Sequence, residues 1–500
     1  MLLFCLLILV TSTSSELYTH QLKYKNDLRE QLKFVTKLVA LNVLSEEELR
    51  IVDPYLKECQ KYNEYTTTKN HLFTNHPLVS YMVTKHLTVD WTELINKLRN
   101  TPYLQKIKNA RKLLEFPIYS NYQESLKQLL LLQDVYLLNT SDVADGYIMG
   151  LHAGFQLSSE ECFFIGKECY GNQDYKHAEI WLTEALRRLD TESKCDKVDM
   201  LEKLAYAKYK RNNINDAITL ADELLMLNSN KTNYKEMFEN HKKSGKLFKI
   251  NDFAHLKDDD GFDDVYLRLC RGEQLLDGAT LSKLKCRYTD KNHPYLRIGP
   301  VKEETLVQDP LVRVYHDIIY DNEMETMKKL GSQKFKTTKK SEYTSGYRDV
   351  EDSRIQQYAW LTWGDEKLFK KYMKRMEIVS GLTVKYTYEN IQMAFYGPGG
   401  YFSAHRDHQD DTFFRIATWL AYINDVEYGG YTAFMKAKQK VTPVKGSAVF
   451  WYNLFRDGTG DDLTEHAACP VLLGYKWISA QWINMKGNEF NRPCGLNWDD

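Results

Sequence analysis

Five hundred residues exceed one compact core and set an expectation of about three domains. Hydrophobic residues at 43% and charged residues at 27% match an ordinary globular chain, which excludes general disorder, a collagen-like fibre and a polytopic membrane protein. Lys and Arg (67) nearly cancel Asp and Glu (68), so no overall basic field draws the chain to nucleic acid or to an anionic membrane. The unusual count is 34 tyrosines. Tyrosine offers a flat apolar face with a polar tip, which suits a wet groove that grips peptide, although most of the 34 are expected in cores and on helix surfaces.

The chain opens MLLFCLLILVTSTSSELYT. Met1–Val10 is apolar but too short to span a bilayer, and Thr13 and Ser15 precede a cut at Glu16. Residues 1–15 are therefore expected to be a signal peptide, with no membrane span in the mature chain. Disulfides are permitted in that pathway. Loss of Cys5 leaves Cys59, Cys162, Cys169, Cys195, Cys270, Cys286, Cys469 and Cys494, none in a CxxC pair, so neither a redox dithiol nor a zinc ribbon is expected. Spacing alone does not pair them. Asn139-Thr-Ser and Asn230-Lys-Thr are glycosylation sequons.

From residue 16 onward the pattern is helical. Leu28, Leu32, Val35 and Val39 form one apolar stripe, which packs either within its own domain or against a partner helix. Ser45 with Glu48 has the form of a capping box. Residues 158–244 show weak internal repetition: Gly166, Ala178 and Ala185 fall at the small positions of a tetratricopeptide helix pair, and Ala205, Ala217 and Leu224 at those of the next. Paired helices of this kind leave a concave face for peptide. Tyr170, Tyr175, Trp181, Tyr206, Tyr209 and Tyr234 lie in or beside the array. KDDDGFDD marks a linker. After about residue 300, short β-rich runs appear (VRVYHDII, NIQMAFY, RIATWLAYI, GSAVFWYN, KWISAQWI), an all-β sandwich or barrel pattern with flanking helices near 365–380.

In a strand, positions i and i+2 share a face, so His405 and Asp407 can bind one metal, and a later strand can bring in His466. Two imidazoles and a carboxylate leave three open positions and suit non-haem Fe(II). His408 and Asp410 form a second HxD in the next register. Lys476 lies inside the apolar strand YKWISAQW, where it needs an anionic partner, which a co-substrate carboxylate would supply; the alternative is a strand-edge lysine snorkelling to water.

The run YGPGGYFSAHRD, followed by RIATWL, GGYTAF, KGSAVFWYNL, EHAACPVLLGYKW and EFNRPC, resembles the catalytic (α) subunit of collagen prolyl 4-hydroxylases. LSSEECFFIGKECYGNQDYKHAEIWLTEALRRLD resembles that family's peptide-substrate-binding domain, LCRGE and CRY its interdomain region, and HPLVSYMVTKHL with WTEL its dimerisation domain. The resemblance implies a multidomain α + β protein: a helical N-terminal dimerisation domain (16–140), a tetratricopeptide-like peptide-binding domain (150–245), a linker and interdomain region (246–300), and a double-stranded β-helix (jelly-roll) dioxygenase domain (301–500).

It also implies roles. The register after Gly399–Gly400 selects His405, Asp407 and His466 as iron ligands and leaves His408 and Asp410 in the loop beyond. Lys476 is expected to pair with the distal carboxylate of 2-oxoglutarate, with Tyr396 and Thr432 bonding the same molecule and Arg415 near the peptide. Tyr170, Tyr175 and Tyr206 are expected to line the proline-peptide groove. Cys270–Cys286 and Cys469–Cys494 are the implied disulfides.

The implied activity is hydroxylation of peptidyl proline in collagen-like X-Pro-Gly sequences, with Fe(II), 2-oxoglutarate, O2 and L-ascorbate. The implied setting is the endoplasmic reticulum lumen, in a tetramer of two α chains with two chains of protein disulfide isomerase and a homodimer contact through the N-terminal domain. The ending NWDD carries no retention tetrapeptide, so retention is expected to come from that partner. Departures from the family are Asn484 in place of a histidine, Phe402 in place of a tyrosine, GGYTAFM for GGATVFP, and a short loop at 408–414. Two other readings compete: a non-catalytic peptide-binding subunit, and a 2-oxoglutarate hydroxylase of another secreted substrate.

Overall fold

The computed structural model describes residues 21–40, 44–68, 75–98, 119–191, 193, 195–227, 233–249, 263–337, 357–408, 414–495 and 497. The expected signal peptide, Asn230, Asp410 and most of the acidic linker lie outside the described residues. Among the described residues no helix is long and apolar enough to cross a membrane.

Helices α1 (Gln21–Ala40) and α2 (Glu46–Thr68) pack together. The Ser45–Glu48 capping box forms as expected, with Ser45 N donating to Glu48 Oε2 at 2.7 Å and Glu48 N to Ser45 Oγ at 3.3 Å. The Leu28–Val39 stripe is used inside the chain: Val35 and Leu38 are buried against Val52, Tyr55, Cys59 and Trp91, and Leu32 and Val39 pack on that cluster. After α3 (Pro77–Lys85), a π-helical turn (His86–Asp90) and α4 (Trp91–Lys97) comes α5 (Tyr119–Tyr136), whose buried residues from Gln128 to Tyr136 form an unbroken run. A helix buried on all sides belongs in a core, and α5 runs through the largest one. That core takes in Cys162, Trp181 and Leu204 on one side and Tyr401, Ala467 and Leu472 on the other.

The peptide-domain helices are α6 (Ser159–Gly171), α7 (Tyr175–Arg187), α8 (Lys197–Lys210), α9 (Ile214–Leu227) and α10 (Asn233–Ser244), each stacked on the next. The small residues do what the repeat pattern requires. Ala178, Ala185, Ala205 and Ala217 are fully buried. A Cβ on Gly166 would sit 2.8 Å from Leu182 Cγ, so only glycine lets α6 and α7 approach this closely. Asp174 caps α7 and also bonds His177 Nδ1 at 2.7 Å, while His177 Nε2 lies 3.2 Å from Asp134 on α5. Two buried carboxylates raise the His177 ring to about 9 against burial, the largest influence, which acts the other way. The imidazolium so held ties the array to α5.

The C-terminal part is two facing sheets. Its strands are β1 (Cys286–Thr289), β2 (Val301–Val307), β3 (Val312–His316), β4 (Lys336–Thr337), β5 (Gln357–Leu361), β6 (Ile391–Tyr396), β7 (Phe402–His405), β8 (Arg415–Tyr422), β9 (Tyr428–Gly429), β10 (Thr432–Phe434), β11 (Gln439–Val441), β12 (Ala448–Tyr452), β13 (His466–Ala468), β14 (Val471–Leu473) and β15 (Lys476–Asn484). The nine-stranded sheet has the order β1-β2-β3-β12-β8-β15-β6-β5-β4, and the four-stranded one β11-β10-β13-β7. Val314, Tyr422, Phe434, Trp451 and Ile478 fill the space between them. Helices α11 (Asp321–Lys334) and α12 (Lys367–Ser380) cover the outer face of the large sheet through Met327, Phe369 and Tyr372. Burial on both faces explains why its central strands read as nearly unbroken apolar runs rather than alternating ones.

The disulfide expectation needs correction. Cys270 is joined to Cys469, 199 residues away, with Cα atoms 5.3 Å apart, inside the usual bridging range. Cys270 ends a short helix (Asp264–Cys270) that lies against β10 and β11, and Cys469 directly follows β13. Both are buried at that junction, whereas Cys286 starts the outermost strand and Cys494 lies past β15, each an exposed thiol. The local pairs Cys270–Cys286 and Cys469–Cys494 are therefore not formed. Cys59 and Cys162 are free and buried, and burial pushes both thiols up to about 12, which makes them inert. We expect non-reducing peptide mapping to recover a Cys270–Cys469 cross-link. Cys270→Ser and Cys469→Ser should each destabilise the chain by about 2–5 kcal/mol in chemical unfolding, and the double variant should cost no more than either alone.

Candidate active site

Strand pairing builds the site. His466 opens β13 directly opposite His405, the last residue of β7. On the other side of β13, β10 sets Phe434 against His466 and Thr432 against Ala468. Opposed residues point the same way, so all of these face the interior between the sheets. From the large sheet, Thr418, Leu420 and Tyr422 on β8 pair with Trp482, Ala480 and Ile478 on β15, and Lys476 pairs with Tyr396 on β6. The resulting cavity is lined by His405, Asp407, His466, Thr432, Tyr396 and Lys476, with Phe402, Thr418, Leu420, Ala468, Ile478, Ala480 and Trp482 around them.

The expected strand does not carry the whole HxD motif. β7 stops at His405, and Asp407 lies just beyond it, in the turn. Arg415 and Thr418 hold it there. The Arg415 Nη1 donates to the Asp407 carbonyl at 3.2 Å, and the Thr418 hydroxyl donates to Asp407 Oδ2 at 2.6 Å. Asp407 Oδ1 lies 3.8 Å from His405 Nε2, and Oδ2 lies 4.0 Å from His466 Nε2.

The donor set fits a divalent ion. His405 Nδ1 lies 2.8 Å from the Ser403 carbonyl and His466 Nδ1 3.0 Å from the Thr464 carbonyl. A carbonyl only accepts, so each Nδ1 carries the proton and each Nε2 presents its lone pair toward Asp407. Burial, the largest influence on Asp407, pushes its carboxyl up. The His466 and His405 rings, the Thr418 hydroxyl and Arg415 outweigh it and hold the group below the usual carboxylate range. Two imidazoles presenting Nε2 and one carboxylate, beside a cavity, form the facial set that suits Fe(II).

Lys476 is the other charged group in the cavity. It is 1% exposed, and among the described residues no carboxylate forms an ion pair with it. Its Nζ lies 3.5 Å from Thr432 Oγ1, and 5.6 and 5.5 Å from the ring centres of Tyr396 and Tyr422. Burial pushes its ammonium down to about 7. A buried ammonium facing such a cavity is satisfied by the carboxylate of a small acid.

The remaining expected residues divide. Tyr396 and Thr432 line the cavity beside Lys476. Arg415 stacks on Trp482 at 4.2 Å, but its guanidinium is engaged by Glu389, with Nε 2.8 Å from Oε2. Asn484 accepts from Tyr388 N at 3.0 Å and does not line the cavity. His408 does not line it either. Tyr170, Tyr175 and Tyr206 come together as a half-buried, edge-to-face triad with centroids 5.8–6.0 Å apart, whereas Trp181 and Tyr209 are core residues. Asn139 is exposed and caps a short helix (Thr140–Ala144).

Sequence reasoning missed Thr418, Tyr422, Asn453, Glu389 and Trp482. Thr418 and Trp482 were legible from strand alternation, each two residues from an inward apolar position. A second His/carboxylate cluster, Glu58, His86 and Asp90, lies in the N-terminal region. There Lys85 already sits 2.7 Å from Asp90, which makes it an ion-pair cluster with its own cation.

Comparison with known proteins agrees with this geometry. Residues 391–484 match the 2OG-Fe(II) oxygenase superfamily, which defines the class. Residues 22–150 match the prolyl 4-hydroxylase alpha-subunit N-terminal region, and residues 159–248 the prolyl 4-hydroxylase peptide-substrate-binding domain. The chain is 33% identical to prolyl 4-hydroxylase subunit alpha-1 of Homo sapiens, over 93% of this chain and 92% of that one. It is 34% identical to prolyl 4-hydroxylase subunit alpha-2 of Caenorhabditis elegans, over 88% and 86%. The viral collagen prolyl hydroxylase vCPH from Paramecium Bursaria Chlorella virus-1, in its 2OG complex, is 26% identical over 34% of this chain and 94% of that one, with a TM-score of 0.28. The chain belongs to the prolyl 4-hydroxylase alpha-subunit family, and its activity is that of a 2-oxoglutarate- and Fe(II)-dependent prolyl hydroxylase.

Lys476 gives a test with a defined sign. Its ammonium, about 7 in the free chain, must be charged to hold a carboxylate. Affinity for 2-oxoglutarate should therefore be level below pH 7 and fall as pH rises above it, toward a limit of about tenfold per unit until the higher value of the complex is reached. Lys476→Met should weaken 2-oxoglutarate binding by at least about 100-fold, roughly the 3 kcal/mol lost with one partner of a buried pair, and remove that pH dependence, read by calorimetry with Fe(II) held anaerobically.

Proposed function

We propose that His405, Asp407 and His466 hold Fe(II), that Lys476 with Thr432 and Tyr396 holds the distal carboxylate of 2-oxoglutarate, and that the substrate is proline in collagen-like X-Pro-Gly sequences. The observation that carries this reading is a buried ammonium with no acidic partner among the described residues, in one cavity with two imidazoles whose Nε2 atoms face a carboxylate. Bound there, Fe(II) with 2-oxoglutarate and O2 supplies the oxidant that converts proline C4–H to C4–OH, releasing succinate and CO2.

The chain's own residues bind, aim and shield. Lys476 fixes one end of the keto-diacid so that its other end is presented to the metal ligands. Tyr422 donates to or accepts from Thr432 at 2.8 Å and so orients that hydroxyl toward the same end. Leu420, Ile478, Ala480 and Ala468 line the cavity with apolar surface that keeps bulk water from the reacting carbon. Phe402 stacks on the His405 ring at 3.7 Å and limits its rotation.

The tyrosine triad Tyr170, Tyr175 and Tyr206 is the proposed platform for proline-rich peptide. Such peptide is already extended in polyproline II and pays little ordering cost on an aromatic surface. L-Ascorbate is the proposed reductant. The chain is further proposed to enter the secretory pathway through residues 1–15, carry glycans at Asn139 and Asn230, and act in the endoplasmic reticulum lumen with protein disulfide isomerase chains. A homodimer contact of the N-terminal domain is also proposed; of the apolar stripe, Leu28 and Val35 are buried within the chain and Leu32 and Val39 are partly buried.

With a Pro-Pro-Gly repeat peptide, His405→Ala and Asp407→Ala should each abolish succinate release, and mass spectrometry of the wild-type product should place oxygen on C4 of proline. Normal peptide binding without any 2-oxoglutarate turnover by the iron-loaded wild type would favour a non-catalytic subunit. Oxygen on another residue would favour a different substrate. Tyr175→Ala and Tyr206→Ala should each weaken long proline-rich peptides by about 1 kcal/mol, roughly fivefold, while leaving KM for a peptide too short to reach the groove unchanged.

A further inference from the structure

We infer that Thr418, backed by Asn453, is a positioning residue that commits one oxygen of Asp407 to the protein and so reserves the other for the metal. The inference rests on the reading of His405, Asp407 and His466 as the ligand set. Thr418 stands on β8, which supplies no ligand, yet its hydroxyl makes a 2.6 Å hydrogen bond to Asp407 Oδ2. All three members of the chain are buried, Asn453 and Thr418 at 0% and 1% exposure and Asp407 at 5%.

The direction of the chain follows from proton inventory. Two acceptors lie within reach of the Thr418 hydroxyl, Asp407 Oδ2 at 2.6 Å and Asn453 Oδ1 at 3.2 Å, and the shorter contact takes its single proton. Thr418 Oγ1 is then left as an acceptor, and Asn453 Nδ2 donates to it at 2.9 Å. Asn453 is fixed in turn, since its N–H donates to the Ile416 carbonyl at 2.9 Å and its carbonyl accepts from Asp461 N at 2.9 Å. Arg415 completes the arrangement from the main-chain side by bonding the Asp407 carbonyl. The turn that carries Asp407 is thus held at both its backbone and its carboxylate.

The consequence is a matter of coordination number. Two imidazoles and a carboxylate bound through one oxygen leave three of six octahedral positions, enough for a chelating keto acid and O2. A carboxylate bound through both oxygens leaves two, which is too few. A hydroxyl fixed on Oδ2 favours binding through Oδ1 alone.

The test uses the full chain under anaerobic conditions, with Fe(II) affinity and the visible absorption band of the Fe(II)–2-oxoglutarate complex as readouts. Thr418→Val, which keeps the shape and loses the hydroxyl, should weaken Fe(II) binding by about 10–100-fold and shift the band. Thr418→Ser should restore both. Near-UV circular dichroism and an unchanged cooperative thermal transition report that the variants are folded. If Thr418→Val does not fold, Asn453→Ala, which keeps the hydroxyl and removes its donor, should move the same two readouts in the same direction. Unchanged affinity and band in the folded variant, or failure of the serine to rescue, overturns the inference. His466→Ala separates the two levels: if it too leaves Fe(II) binding intact, the ligand assignment fails; if it alone loses the metal, only the role of Thr418 fails.

Discussion

The pairing of β7 with β13 is the constraint on which the site depends. It places two histidines 61 positions apart in sequence directly across from each other, with ring centroids 4.3 Å apart. Each ring is then turned by a carbonyl two residues earlier in its own strand or turn, so the same local geometry is used twice. Asp407 follows only two residues after His405, so its turn needs no long-range contact to bring it near. It needs Thr418 and Arg415 to keep it there. Removing any of these contacts leaves the fold's apolar core largely intact but loosens the ligand set, which separates what the site requires from what folding requires.

A second constraint joins the peptide array to the metal-ligand strands. Helix α5 receives the His177 ion pair at one point, while Tyr136 at its end donates to the Pro470 carbonyl, next to Cys469. The same helix meets the turn before β7 closely: a Cβ on Gly399 would lie 2.8 Å from Gln128 Cβ, and the residue's φ of +79° favours glycine independently. The Cys270–Cys469 bridge closes the same junction covalently. Gly399 and Cys469 flank the two ligand-bearing strands, so the tether that holds the peptide domain also braces the catalytic cavity. Under the proposed function, a peptide-binding surface tethered in this way would raise the effective concentration of a long repetitive peptide at the cavity mouth.

The contrast between Arg415 and Lys476 shows why charge in an apolar strand is an ambiguous sign. Both are cations in β-rich runs beside the ligands. Arg415 has a carboxylate partner in Glu389 and a backbone acceptor in Asp407, and serves the protein's own architecture. Among the described residues Lys476 meets a hydroxyl and two aromatic faces, and burial lowers its pKa. Spacing does not separate the two cases, because the partner that distinguishes them comes from a loop 26 residues upstream.

Local patterns were sufficient for much of the molecule. The capping box at Ser45, the small residues of the helical array, the major strands and the HxD itself depend on periodicity or on residues adjacent in the chain, and such features are written in the sequence; the choice of its register and of His466 rested on the family resemblance. The tyrosine triad was legible only through the resemblance of its stretch to the family's peptide-binding domain. Tertiary structure alone decided what depends on packing across the chain: the Cys270–Cys469 pairing, the end of β7 before Asp407, the turn of Arg415 toward Glu389, and the Asn453–Thr418–Asp407 chain. Each joins groups that are remote or out of register in sequence. A hydrogen bond or disulfide acts over a few ångströms, while the chain records only order, so contacts of this kind emerge only when the sheets have closed.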